Sequence, residues 1–259
     1  MLAVAMNAWW RTARSESPTL TGPASVPAGR RVYAVGDIHG RLDLLRALHE
    51  QIVADAAELP DTAKTLVYLG DYVDRGPRSC EVVELLIEEP LAGFDLVHLK
   101  GNHEDMMLEF LDAPTNAGWL LNGGDATLVS YGVDFPSLVL LPSDLAKISA
   151  ELNEALPPSH RAFLDDLSLC HEEGDYLFVH AGVRPGVQID EQEPFDFMWI
   201  RLPFLKATED FGKRIVHGHT IGAVPDVRAN RIGIDTGAYH TGCLTCLVLE
   251  GTDVRFLQT

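Results

Sequence analysis

Cations are scarce in this chain. Its 259 residues carry 20 Lys and Arg against 38 Asp and Glu, a formal net charge of −18. A surface this poor in Lys and Arg lacks the clustered positive charge that grips nucleic-acid backbones or anionic bilayers, so neither a nucleic-acid polymer nor a membrane is expected as a partner. An anionic substrate stays open, because bound metal ions reverse the sign of a local field. Cysteine is also sparse, with only Cys80, Cys170, Cys243 and Cys246. Four thiols over this length make no disulfide framework. Cys243 and Cys246 form a C-x-x-C, but the stretch reads as a strand, which would point the two side chains to opposite faces. No second Cys/His pair at finger spacing accompanies them. There is no run of roughly 18 apolar residues, so no spanning helix is expected. The stretch MLAVAMNAWWRTARSESP places its basic residues after its apolar part, the reverse of a secretory signal. These absences favour a reduced, cytoplasmic setting.

What is present supports a sizeable core. The chain is 46% hydrophobic and 22% charged, which suits one large globular domain. Residues 1–29 read as a flexible tail, since SESPTLTGPASVPAG is rich in Ser, Thr, Pro and Gly and has no periodicity. The domain is expected over 30–259. RVYAVGD reads as a strand stopped by Gly36, and RLDLLRALHEQIVADA as a helix with Leu42, Leu45, Leu48 and Ile52 on one face. KTLVYLGD and DLVHLKGNHE read as strands, and CEVVELLIEEP and EDMMLEFLDA as helices. This alternation gives an α/β layered fold. About residues 112–165 the pattern becomes less regular and reads as a mainly helical insertion over the site. Strands return in DYLFVHAG, KRIVHGHT, NRIGIDTG and LTCLVLEG.

The strands share one oddity: GDIHG, GDYVDRG, GNHE, HAG and HGHT are all polar strand ends beside glycine. Each alone reads as a capped turn or a core histidine. Together they set Asp37, His39, Asp71, Asn102, His180 and one of His217 or His219 beyond the carboxyl ends of strands, where sites form in open α/β sheets. This is an oxygen-and-nitrogen donor set without thiolate. It suits Mn²⁺, Fe or Zn²⁺ better than Ca²⁺, and Mn²⁺ is the leading choice. The donors are too many for one ion and about enough for two, with Asp71 the natural bridge. Such a pair holds a bridging hydroxide and clamps a phosphoryl group for in-line attack.

The five motifs, in this order over roughly residues 31–250, resemble the calcineurin-like metallophosphoesterases. The complete GDYVDRG resembles the phosphoprotein phosphatase branch, with bacterial serine/threonine phosphatases and symmetrical diadenosine tetraphosphatases as relatives. The resemblance implies a central β-sandwich flanked by helices. It implies that Asp37 and His39 bind the first metal, that Asp71 bridges, and that Asn102, His180 and His219 hold the second. His219 is chosen over His217 because the family's histidine is the one in GHT. Arg75 would bind phosphate oxygens. His103 would protonate the leaving group, steadied by Asp74. MWIR resembles a segment that carries a second phosphate arginine, here Arg201. Asn122 in LNGG could line the substrate pocket, and Tyr239 and His240 could face the site.

The leading function is therefore a two-metal phosphomonoesterase acting on phosphoserine or phosphothreonine proteins, with small phosphate esters as further substrates. The alternative is hydrolysis of a bis(5'-nucleosyl)-tetraphosphate or another nucleotide or polyphosphate. That substrate wants a shelf for a base and extra cations. The insertion offers Trp119 and Tyr131 for the first but chiefly Lys147 and Arg161 for the second, which favours phosphomonoesters. A non-catalytic scaffold of the same fold would have lost ligand positions, and none is lost here.

Overall fold

The computed structural model describes residues 22–134 and 141–259. Most of the expected tail, residues 1–21, lies outside them. Residues 24–29 do not behave as a tail. Ala24 and Val26 are buried, Val26 N–H donates to the Gly251 carbonyl at 2.9 Å, and Ser25 N–H donates to Asp175 at 2.9 Å. Packing thus begins before Arg30.

Strand β1 (Arg30–Val35), helix α1 (Leu42–Ala56), β2 (Ala63–Tyr68), α2 (Ser79–Glu88), β3 (Asp95–His98) and α3 (Asn102–Asp112) alternate as the sequence pattern implies. Helix α1 buries Leu42, Leu45, Leu48 and Ile52, its expected stripe. The region after α3 is helical: one wide turn at Leu120–Gly124 is broken at Gly123, then come α4 (Asp125–Ser130), α5 (Pro142–Ala155) and α6 (Pro158–Asp165). The last third holds β4 (Cys170–Glu173), β5 (Tyr176–Val179), α7 (Pro194–Trp199), α8 (Leu202–Lys206), β6 (Arg214–His217), β7 (Asp226–Val227), β8 (Arg231–Gly233), α9 (Ala238–Thr241), β9 (Thr245–Glu250) and β10 (Asp253–Gln258). None of the described helices is long and apolar enough to cross a membrane.

The strands form two five-stranded sheets, ordered β10-β9-β1-β2-β3 and β4-β5-β6-β8-β7. Strand alternation sorts the side chains into layers. Val32, Ala34, Val67 and Leu69 of the first sheet meet Tyr176, Phe178, Val216 and Ile232 of the second in one core. On the outer face of the first sheet, Tyr33 and Val35 pack against the stripes of α1, α2 and α3. On the outer face of the second, Leu177, Val179 and Ile215 pack against Phe197 and Phe204 of α7 and α8. The result is a β-sandwich with helices on both outer faces.

Three details differ from expectation. Helix α3 starts at Asn102, so GNHE opens the helix and does not close the strand. Its first turn is satisfied by side chains: Glu104 accepts Gly101 N–H and Asp71 accepts His103 N–H. Strands β4 and β10 carry weak apolar alternation and are edge strands, held by antiparallel pairing to β5 and β9. Only part of the insertion covers the strand ends. Residues 119–127 touch Asp74 and Arg75, whereas α5 packs on α3 and α6 on α2.

Candidate metal centre

Strands β1, β2 and β3 run parallel to one another, and so do β5 and β6, so the segments leaving their carboxyl ends can converge. They deliver Asp37 and His39 after β1, Asp71 and Asp74 after β2, Asn102 and His103 at the start of α3, His180 after β5 and His219 after β6. All eight side chains are buried. The backbone here is unusual. Among the described residues, the non-glycine residues in the left-handed region are His39, Asp71, Asp74, Arg75 and His219, with φ from 46° to 74°. Such conformations cost of order 1–3 kcal/mol each and persist only where surrounding structure imposes them. Gly70, at φ 100°, lets the turn before Asp71 press on Gly101, whose amide nitrogen would lie 2.5 Å from any Cβ there.

Two donor groups form, His39–Asp71–His103 and Asp71–His180–His219, each with its donor atoms within 4.8 Å of one another. Asp71 belongs to both. One of its oxygens is 3.4 Å from His39 Nε2, the other 3.4 Å from His180 Nε2. The imidazoles are pre-set for ligation. His39 Nδ1–H donates to the Val73 carbonyl and His180 Nδ1–H to the Leu69 carbonyl, each at 2.8 Å, and burial pushes both imidazoles below their ordinary value. Their Nε2 atoms therefore present lone pairs toward Asp71. His180 Nε2 also faces Asn102 Oδ1, another acceptor, at 3.0 Å. His219 Nε2 is buried without any hydrogen-bond partner. A shared cation would relieve both arrangements.

The carboxylates point the same way. Asp37, Asp71 and Asp235 share one buried region. Burial, then Asp235 and Asp71, push the Asp37 carboxyl upward, and burial pushes Asp235 up to about 6. Asp71 lies well below the usual carboxylate range, because four histidines outweigh its burial. Bound cations would neutralise this crowding. The donor chemistry and the unfilled lone pairs fit divalent ions of the nitrogen-and-oxygen class. His217 points elsewhere: its ring packs on Phe204 at 5.0 Å and its Nδ1 faces the Gly218 carbonyl.

Beside these groups His103 Nδ1 meets Asp74 Oδ2 at 2.6 Å. Burial opposes a charge on His103, but Asp71 and Asp74 outweigh it and raise the imidazole. Arg75 Nη1 donates to His39 Nε2 at 2.7 Å, on the lone pair that an ion at His39 would use. Its guanidinium also lies 4.9 Å from the Tyr239 ring centroid, so Tyr239 does face the site. Arg201 donates to the His219 carbonyl at 3.1 Å, which puts it on the rim. Asn122 is brought less close. It is exposed, bonds to the Gly118 carbonyl, and lines a 210 Å³ cleft with Trp119 and Trp199.

Sequence reading missed several contributors. Glu104 is fully buried and accepts the N–H groups of Gly101, Asp71, Tyr72 and Val73. It stands inside GNHE with Gly101, but its other three partners lie some thirty residues upstream. Asp235, in IDTG, left no signal beyond its place after a strand. Trp119 and Tyr131, read as a shelf for a base, are buried; Trp119 donates to Asp74 and Tyr131 bonds to His160.

Residues 30–230 match the family model described as calcineurin-like phosphoesterase. Serine/threonine-protein phosphatase 2 of Escherichia coli is 38% identical over 97 residues, which is 37% of this chain and 39% of that protein. The chain thus matches about two fifths of that phosphatase's length. The asymmetrical bis(5'-nucleosyl)-tetraphosphatase PrpE of Bacillus mycoides is 27% identical over 82% of this chain and 88% of its own. A cold-active protein-tyrosine phosphatase from a psychrophilic Shewanella shares the fold, with a TM-score of 0.61 and 17% identity over 95% of this chain and 84% of its own. By the family match over residues 30–230 and the fold beneath it, this chain belongs to the calcineurin-like phosphoesterases.

Proposed function

We propose that the chain is a metal-dependent phosphomonoesterase acting on phosphoserine and phosphothreonine. Asp37, His39 and Asp71 would hold one divalent ion and Asp71, Asn102, His180 and His219 the other, with Mn²⁺ as the leading occupant. The observation that carries this reading is Asp71, which His39 approaches on one side and His180 and His219 on the other, with His103 held by Asp74 beside it as proton donor; Asp37 stands outside both donor groups and accepts His219 N–H at 3.0 Å. When bound, such ions supply Lewis-acid activation of a water and offset the charge of phosphoryl oxygens.

The protein's own groups do the rest. Arg75 would leave His39 and set its guanidinium fork on the phosphate, with Arg201 on the rim as a second clamp. His103 commits its Nδ1–H to Asp74, which leaves Nε2 as the proton-bearing atom turned toward the site. Asp71 and Asp74 raise its imidazole against the push of burial, the direction that suits a proton donor to the leaving oxygen. Buried walls around Asp71 and Asp74 exclude bulk water, so these charges act at full strength.

Charge supports a substrate with one phosphate. Among the described residues, the Lys and Arg side chains that form no ion pair with a carboxylate are Lys64, Arg75, Arg201, Lys206 and Arg214. Lys147 and Arg161, the insertion's cations, are paired with Glu151 and with Asp112 and Asp165. This leaves Arg75 and Arg201 at the site, few for a polyphosphate chain. A tetraphosphatase reading is favoured by near full-length matches to several Bacillus proteins of that name, the Bacillus mycoides protein among them. Initial rates on a phosphoserine peptide and on diadenosine tetraphosphate, with Mn²⁺ added, separate the two. The proposal expects faster peptide turnover, and preferential cleavage of the dinucleotide would overturn it. The proposed setting is the cytoplasm.

A further inference from the structure

We propose that Trp119 and Thr127, both on the insertion, are positioning residues for proton donation, acting on His103 through Asp74; this rests on the reading of His103 as the proton donor. The Asp74 carboxylate is fully buried and accepts from three side chains. Trp119 Nε1–H lies 2.9 Å from Oδ2 and 3.1 Å from Oδ1. Thr127 Oγ1–H lies 2.7 Å from Oδ1, and His103 Nδ1–H lies 2.6 Å from Oδ2. Thr127 holds the residue twice, because its Oγ1 also accepts Asp74 N–H at 2.8 Å. It thereby helps to fix the left-handed backbone of Asp74, at φ 74°.

The geometry explains why two extra donors matter. A carboxylate bonded to one imidazole alone can still rotate about its terminal torsion, which is soft. Donors on Oδ1 and across both oxygens fix the carboxylate plane, and with it the direction of His103 Nε2. Neither donor can drift. The Trp119 indole packs on Phe110 at 5.1 Å and lies so close over Gly124 that any side chain there would collide with it. Thr127 is fully buried on α4. The insertion is thus part of the proton-donating apparatus as well as a cover.

In the step itself, water oxygen adds to phosphorus and the bond from phosphorus to the leaving oxygen breaks. The leaving oxygen keeps the bond's electron pair and takes the proton from His103 Nε2. The attacking water's surplus proton goes to solvent, from which His103 is later reprotonated. An alkoxide needs that proton, whereas a nitrophenolate leaves without it. Loss of aim at Nε2 should therefore slow serine phosphate esters far more than nitrophenyl phosphate. Loss of stability alone would slow both equally.

The test compares kcat on a phosphoserine peptide and on p-nitrophenyl phosphate for Mn²⁺-supplied wild type, Trp119→Phe, Thr127→Val, Thr127→Ser and His103→Asn. In Trp119→Phe and Thr127→Val, peptide turnover should fall about tenfold more than aryl turnover, a part of the roughly 10²–10⁴-fold that a positioned general acid supplies. Thr127→Ser keeps the hydroxyl and should restore the ratio. In metal-free protein, the imidazole N–H proton resonance of His103 should move in the two disruptive variants and return in Thr127→Ser. Equal losses on both esters, or none, overturn the proposal when His103→Asn does show the bias. If His103→Asn shows no bias, the donor role falls and the positioning role with it. Should Trp119→Phe fail to fold, the near-isosteric Thr127→Val carries the test.

Discussion

Replacing Glu104 by Gln probes how the centre is built without touching any proposed ligand. Glu104 Oε2 accepts the N–H groups of Asp71 and Gly101, both at 2.9 Å, and Oε1 accepts those of Tyr72 and Val73 at 2.8 and 3.3 Å. Four N–H donors favour the ionised form, although burial and Asp71 push the carboxyl up to about 7. An amide keeps one oxygen. Whichever way it turns, its NH₂ faces two backbone N–H groups and two bonds are lost. At about 1.5–3 kcal/mol per bond to a charged group, the loss is about 3–6 kcal/mol, at or beyond the upper end of ordinary point substitutions. With a urea slope of about 3 kcal/mol/M for a chain of this size, the unfolding midpoint should drop by about 1–2 M. Because those bonds hold Asp71 in its left-handed conformation, Mn²⁺ retention should fall as well. Glu109→Gln, exposed on the same helix, is the control and should change neither. A Glu104→Gln protein with an unchanged midpoint and undiminished Mn²⁺ would refute the reasoning.

Other outcomes follow from the same structure. Arg75→Ala should lower kcat/KM on a phosphopeptide by about 10- to 100-fold, the worth of one charge-assisted contact, and Arg201→Ala should do less; the reverse order would contradict their places at centre and rim. Gly70→Ala should destabilise the fold by more than about 1 kcal/mol, because φ is 100° and Gly101 blocks the added methyl; a neutral urea midpoint would argue against that contact. His49 accepts the Tyr68 hydroxyl at 2.8 Å, and burial and then Arg46 push its imidazole down to about 4 from 6.5. Above pH 6.5 the ring is neutral in both states. Between 6.5 and 4 the unfolded chain binds a proton that the fold refuses, so stability is lost as pH falls, by at most about 3 kcal/mol. Urea unfolding of His49→Gln at pH 7 and pH 4.5 should show a smaller drop than wild type, and an identical drop would assign the pH dependence elsewhere.

The strand ends were legible in the sequence because their signal is local. A short apolar run, a glycine and a metal-capable side chain within five residues mark GDIHG and GDYVDRG without knowledge of the fold, and the same signal flags GNHE although it opens helix α3. The stripe of α1 was legible for the same reason. Partners distant in sequence were not. Nothing near Glu104 announces that its acceptor capacity is spent on the Asp71–Val73 backbone, and nothing near Trp119 announces a hydrogen bond to Asp74. Asn122 is expected from LNGG to line a substrate pocket; it is exposed, bonds to the Gly118 carbonyl and lines the cleft with Trp119 and Trp199. Strand β10 escaped notice because DVRFLQ interrupts its apolar positions with charge; its pairing with β9 supplies what propensity does not.

The account turns on Asp71 as a group shared by two metal positions. Anomalous diffraction from crystals of the protein grown with Mn²⁺ tests this most directly. Two Mn²⁺ peaks are predicted, both in contact with the Asp71 carboxylate, one also reached by His39 and the other by His180 and His219. A single peak, or two peaks of which one does not touch Asp71, would contradict it.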